Sequence, residues 1–113
     1  MRRFEIVQLD KIPPNACPCG QAHRAFAGST EGLASVHWVE VSADAHAHYH
    51  RKLTEFYVVL EGEGQVELDG QLLPVAPLTA VLIKHGCRHR AMGRLKILNL
   101  VIPAFDPADE FVD

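Results

Sequence analysis

The sequence predicts an all-β fold, a barrel or sandwich of short strands. Runs rich in β-branched and aromatic residues recur along the chain, and turn signals separate them at close, regular spacing. No segment combines a helical apolar period with caps. The 113 residues give room for one domain with a modest core. An apolar content of 48% and a charged content of 22% are those of a folded chain.

Phe4–Leu9 is a short extended candidate, and residues 11–32 read as an arm containing Pro, Cys and Gly. Leu33–Val41 is the first barrel strand, with Val36, Trp38 and Val39 favouring it. Ala47–Leu53 carries histidines, and Glu55–Leu60 is the strongest strand, closed by the Glu61-Gly62-Glu63-Gly64 turn. Gln65–Leu68 alternates, Asp69-Gly70 signals a hairpin, and Gln71–Val75 returns. Leu78–Ile83 and Leu95–Ile102 are apolar enough for buried strands. The segment 103–113, with Pro103, Phe105, Pro107 and Phe111, reads as a non-strand tail that packs on the barrel. The organisation expected is one domain over 1–113: strand and arm 1–32, barrel 33–102, tail 103–113.

A net charge of −3 with scattered basic residues argues against nucleic-acid binding. No apolar run approaches the ~20 residues of a membrane span, and Glu5 and Asp10 interrupt any signal-peptide core. A cytoplasmic protein is expected. The odd cysteine count agrees, and Cys17 and Cys19 read as too close in sequence for an easy mutual disulfide.

His46, His48 and His50 alternate, so a strand directs them to one face. Imidazole is the commonest transition-metal ligand, and Glu55 opens the next strand. His48, His50 and Glu55 can then converge inside a barrel. Of the two late histidines, His89 re-enters the barrel after the Gly86 turn, whereas His85 sits in the turn itself.

These residues resemble the cupin family. Its first motif is His-x-His, four residues, Glu, six residues, Gly; His48, His50, Glu55 and Gly62 match each position. Gly86 and His89 match the Gly and His of the second motif. Ser42, Lys84 and Gly93 depart from the family's Gly, Pro and Asn at positions that shape turns. The resemblance spans roughly 33–102. It implies a double-stranded β-helix (a jelly-roll barrel) with an N-terminal arm and a short C-terminal tail. It also implies one divalent transition metal (Fe, Mn, Ni or Zn) on His48, His50, Glu55 and His89, and a homodimer. Three neutral imidazoles and one carboxylate leave such an ion with about one positive charge and open positions for an oxygen ligand or dioxygen.

The expected function is a mononuclear metal enzyme acting on a small metabolite by oxygenation or isomerisation. The alternative is a non-catalytic small-ligand binding or sensing barrel with a structural metal. His46, Tyr57 and His37 are the candidates for proton transfer, set against ordinary roles as a solvated loop histidine, a core aromatic and a hydrogen-bonded core histidine. Cys87 shares the parity of His89, although an inert buried thiol is the commoner case. Cys17, Cys19 and His23 make a partial zinc set with no evident fourth ligand.

Overall fold

A computed structural model of the chain describes residues 3–28, 31–43 and 45–112. Its strands are β1 (Asn15–Cys17), β2 (Gly20–Ala25), β3 (Ser35–Val41), β4 (His48–Tyr49), β5 (Thr54–Glu61), β6 (Gly64–Leu68), β7 (Gln71–Val75), β8 (Ala80–Ile83), β9 (His89–Gly93), β10 (Lys96–Ile102) and β11 (Phe111–Val112). They form two antiparallel sheets, ordered β1-β2-β3-β10-β5-β8 and β11-β4-β9-β6-β7. The helical content among the described residues is two single 3-10 turns, Leu9–Lys11 and Pro107–Asp109. This is the expected jelly-roll barrel.

The inner face follows from strand alternation. On β5, Glu55, Tyr57 and Val59 are buried while Phe56 and Leu60 are exposed, and on β10 Ile97, Asn99 and Val101 point inward. Register stacks these positions into rows across the first sheet. Ala22, Val39, Ile97 and Val59 make an apolar row, and Arg24, His37, Asn99 and Tyr57 make a polar row beside it. Ser35, Val101, Glu55 and Ile83 form the next. Val66, Val75 and Ala91 of the second sheet close over the apolar row, so the hydrophobic core fills one end of the barrel. Polar side chains line the other.

Gly62 ends β5 with φ +90°, and a Cβ there would overlap the carbonyl oxygen of Arg94, so only glycine fits. Pro74 lies on β7, at the sheet edge where a missing N–H is tolerated.

The structure corrects several expectations. Phe4 to Gln8 joins no ladder, and Leu9–Lys11 is a 3-10 turn. The arm is partly strand: β1 and β2 form a hairpin that extends the first sheet. The histidine strand shrinks to His48–Tyr49, because His50 leaves the ladder to turn inward. His89–Gly93 forms a strand although its His-Arg-Ala-Met-Gly composition carries no strand signal. The tail ends in β11, which pairs with β4 instead of remaining non-strand. Cys17 and Cys19 are joined as a disulfide, since the tight β1–β2 hairpin holds their Cα atoms 5.1 Å apart.

Candidate metal centre

His48 lies on β4 directly opposite His89 on β9, so the second sheet presents two imidazoles side by side. Glu55 faces them from β5 of the first sheet, and His50 sits in the connection between the sheets. The result is a cluster in which one ligand atom from each of His48, His50, Glu55 and His89 lies within 4.8 Å of the others. All four are buried, at 4%, 4%, 4% and 0% exposure.

Backbone carbonyls orient all three rings. His48 Nδ1 donates to His46 O (3.1 Å), His50 Nδ1 to Asp109 O (2.6 Å) and His89 Nδ1 to Cys87 O (2.9 Å). With the proton held on Nδ1, each Nε2 turns a lone pair toward the cluster. Glu55 Oε1 approaches His50 Nε2 to 2.7 Å and His89 Nε2 to 3.2 Å. Asn99 Nδ2 donates to Glu55 Oε2 at 2.5 Å and fixes the carboxylate plane.

The electrostatics agree with a cation site. Lone pairs of nitrogen and oxygen repel at these distances unless a positive charge lies among them. Glu55 Oε1 and His89 Nε2 are buried without a hydrogen-bond partner, as atoms aimed at an ion are. Burial opposes ionisation of Glu55, but His50 and His89 hold its carboxyl well below the usual carboxylate range. Burial, with His89 adjacent, brings His48 down to about 4 and keeps it a neutral ligand. Burial also opposes protonation of His50, yet the hydrogen bond and charge of Glu55 raise it, so a proton there competes with a metal. The residues present fit a divalent transition ion of N/O preference.

The cluster opens into a cavity with about 20 Å³ for the centres of water molecules, room for little more than one water. Tyr57 and His37 line it, as do Arg24, Asn99, Phe105, Glu110 and the Cys17–Cys19 disulfide. His46 is exposed and stands outside that lining; its carbonyl, not its ring, serves the site. His85 lies in the exposed turn. Cys87 packs against the core instead of lining the cavity. The Cys17, Cys19 and His23 zinc set does not assemble: the thiols are spent in the disulfide, and His23 bonds Ile12 O (2.6 Å) and Glu40 (3.1 Å).

Arg24, Asn99, Asp109 and Glu110 were not expected at the site. Asn99 carried one usable signal, a lone amide between the apolar residues Ile97, Leu98, Leu100 and Val101. Asp109 is 5% exposed, and its carboxylate accepts the backbone N–H groups of Arg51 (2.9 Å), Lys52 (2.9 Å) and Leu53 (3.0 Å). Its own carbonyl holds His50. The 3-10 turn therefore sets the connection between the last histidine of the first motif and Glu55.

The sequence model of the cupin domain matches residues 35–96. SchB of Streptomyces halstedii is 33% identical over 93 residues, covering 79% of this chain and 67% of that protein. The polyketide synthase protein CurC of Streptomyces cyaneus is 28% identical over 92 residues, covering 78% of this chain and only 60% of its own length. Among solved structures, a protein from Planctomyces limnophilus superposes with TM-score 0.88 at 41% identity, over 96% of both chains. Pac13, a nucleoside dehydratase of Streptomyces, superposes with TM-score 0.80 at 18% identity, over 97% of this chain and 91% of its own, a likeness of fold alone.

Proposed function

The chain belongs to the cupin family, and on that premise we propose that it is a mononuclear metal-dependent enzyme acting on a small metabolite. The observation that carries the reading is the buried His48/His50/Glu55/His89 cluster with each imidazole oriented by a backbone carbonyl. Metal-assisted oxygenation and isomerisation are the reaction classes we favour, with Fe, Mn, Ni or Zn as the ion. When bound, the ion would supply Lewis acidity or an oxygen-binding position.

The chain's own groups do the rest. Burial, then Glu55 and Glu110, push Tyr57 well above its ordinary range, so its hydroxyl stays protonated and serves as a donor. Burial and the nearby Arg24 bring His37 down to about 4, so the ring is neutral. Ser35 Oγ accepts the Phe105 N–H at 2.9 Å and lies 2.9 Å from His37 Nε2. The buried Ser35 hydroxyl then satisfies itself by donating to that nitrogen, which assigns the His37 proton to Nδ1. His46, being exposed, would act only on a ligand that extends out of the cavity.

A second reading, ligand binding or sensing without turnover, is favoured by the small cavity. The same proposal includes a homodimer, supported by the exposed apolar residues Phe4, Ile6 and Val7 and, separately, by an outer sheet face on which Phe56 and Leu82 pair and are exposed. No helix among the described residues is long and apolar enough to cross a membrane. A cytoplasmic location is proposed on the sequence reading, and the Cys17–Cys19 disulfide weighs against it.

The test is elemental analysis beside a His50→Ala variant. We expect about one transition-metal ion per chain in the wild type and a loss of at least tenfold in affinity for the variant. Equal metal content in both, or none in either after reconstitution with each of the four ions, overturns the reading. Oxygen uptake or substrate conversion by the loaded wild type then separates enzyme from sensor.

A further inference from the structure

Arg24 is the one cation in the polar row of the cavity, directly opposite His37 across the β2–β3 pair. A guanidinium carries five donors and is costly to bury without acceptors. Its Nε is buried with no hydrogen-bond partner, and none of the ion pairs among the described residues involves it. The Phe105 ring lies 4.1 Å beneath its Cζ, and that ring in turn packs edge-on to His37 at 5.5 Å. Stacking of this kind fixes the plane of the fork without using its donors. The half-buried group is therefore held in place with its buried Nε–H unpartnered.

Charge balance points the same way. A divalent ion on three neutral imidazoles and Glu55 leaves one positive charge, Arg24 adds a second, and Glu110 offsets one of them. The cavity is left with a single positive charge, the complement of a monoanion. Burial lowers the readiness of Arg24 to carry its charge, and the charge of Glu110 only partly restores it.

We propose that Arg24 is the anion anchor of this site, and that the ligand is a small carboxylic acid whose carboxylate lies on the Arg24 fork while a second oxygen faces the metal. The inference rests on the metal reading above. It narrows the substrate class to the most compact acids, 2-hydroxy or 2-oxo acids, since the enclosed space is hardly larger than a water and a bulkier acid would need still more of it. Phe105 is a positioning residue, acting through the guanidinium.

The experiment titrates metal-loaded protein with glycolate and with its neutral amide glycolamide, which keeps the metal-facing oxygen and loses the charge, and measures metal content beside each titration. We expect glycolate to bind wild type at least tenfold more tightly than glycolamide. Arg24→Met should weaken glycolate roughly tenfold or more, weaken glycolamide much less, and leave metal content unchanged. Arg24→Lys, which keeps the charge and loses the fork, should fall between the two. Phe105→Leu is read in place of Arg24→Met if that variant does not fold, and should weaken glycolate about threefold. Unchanged glycolate affinity in the variants, equal binding of glycolamide, or no glycolate binding to metal-loaded wild type overturns the anchor alone. A protein that takes up no metal overturns both readings, and a drop in thermal stability with unmoved glycolate affinity marks Arg24 as structural.

Discussion

The imidazoles of this protein differ by what their second nitrogen touches. His48, His50 and His89 each donate Nδ1–H to a carbonyl, which leaves Nε2 of each as the proposed ligand atom, whereas His37 Nε2 accepts a hydrogen bond from the Ser35 hydroxyl and the ring stays neutral. That neutrality has a pH signature. An unfolded histidine takes up its proton near 6.5, while folded His37 does so only at about 4. Between those values the unfolded chain binds more protons, so the His37 contribution is complete above pH 6.5 and is lost as pH falls through the window. The loss approaches about 3 kcal/mol by pH 4. Urea denaturation of the metal-free protein at pH 7 and pH 4.5 measures it, and His37→Asn should flatten the difference by about half or more, since His48 contributes a similar shift and the raised His50 an opposing one. An unchanged pH difference in that variant would refute the assignment of a buried neutral ring.

At the scale of elements, the connection between β4 and β5 is organised from the far end of the chain. Three consecutive N–H groups, of Arg51, Lys52 and Leu53, end on the Asp109 carboxylate. Burial opposes the charge of Asp109, and these hydrogen bonds nevertheless hold its carboxyl below the usual value. Asp109→Ala should cost about 3 kcal/mol of stability. It should also weaken metal binding tenfold or more, because the same turn orients His50. Chemical denaturation and competitive metal titration read the two effects; a destabilised variant with unaltered metal affinity would show that the turn does not govern the ligand. The sequence could not reveal this clamp, because it joins residues more than fifty positions apart. The four proposed ligands were legible because three lie within eight residues at strand and turn spacing, and the fourth follows a glycine turn. β6 and β7 were legible from the alternation of Gln65–Leu68 and the Asp69-Gly70 turn. β1 and β2 were hidden in a Pro- and Cys-containing stretch whose pairing depends on docking against β3. Arg24 and Asn99 became site residues only through register between strands distant in sequence.

At the scale of the molecule, the two sheets meet in two different ways. At one end they share an apolar core of residues such as Val59, Ile97, Val66 and Ala91. At the other, carboxylate and imidazoles from opposite sheets face one another, and their lone pairs favour separation unless a cation is present. A metal would therefore act as a cross-link between sheets as well as a reaction centre. Binding to the folded state alone stabilises by about 2.7 kcal/mol when free metal is a hundredfold above the dissociation constant. For a domain of this size that is on the order of 10 °C in melting temperature. Thermal melts of the protein with Zn²⁺, Mn²⁺ or Ni²⁺ held a hundredfold above the dissociation constant and again after chelation should show this gap, and His89→Ala, which removes one of the second sheet's proposed ligands, should abolish it. The core at the opposite end should be untouched, so the chelated protein should still melt cooperatively. A metal-independent melting temperature in the wild type would exclude the cross-link.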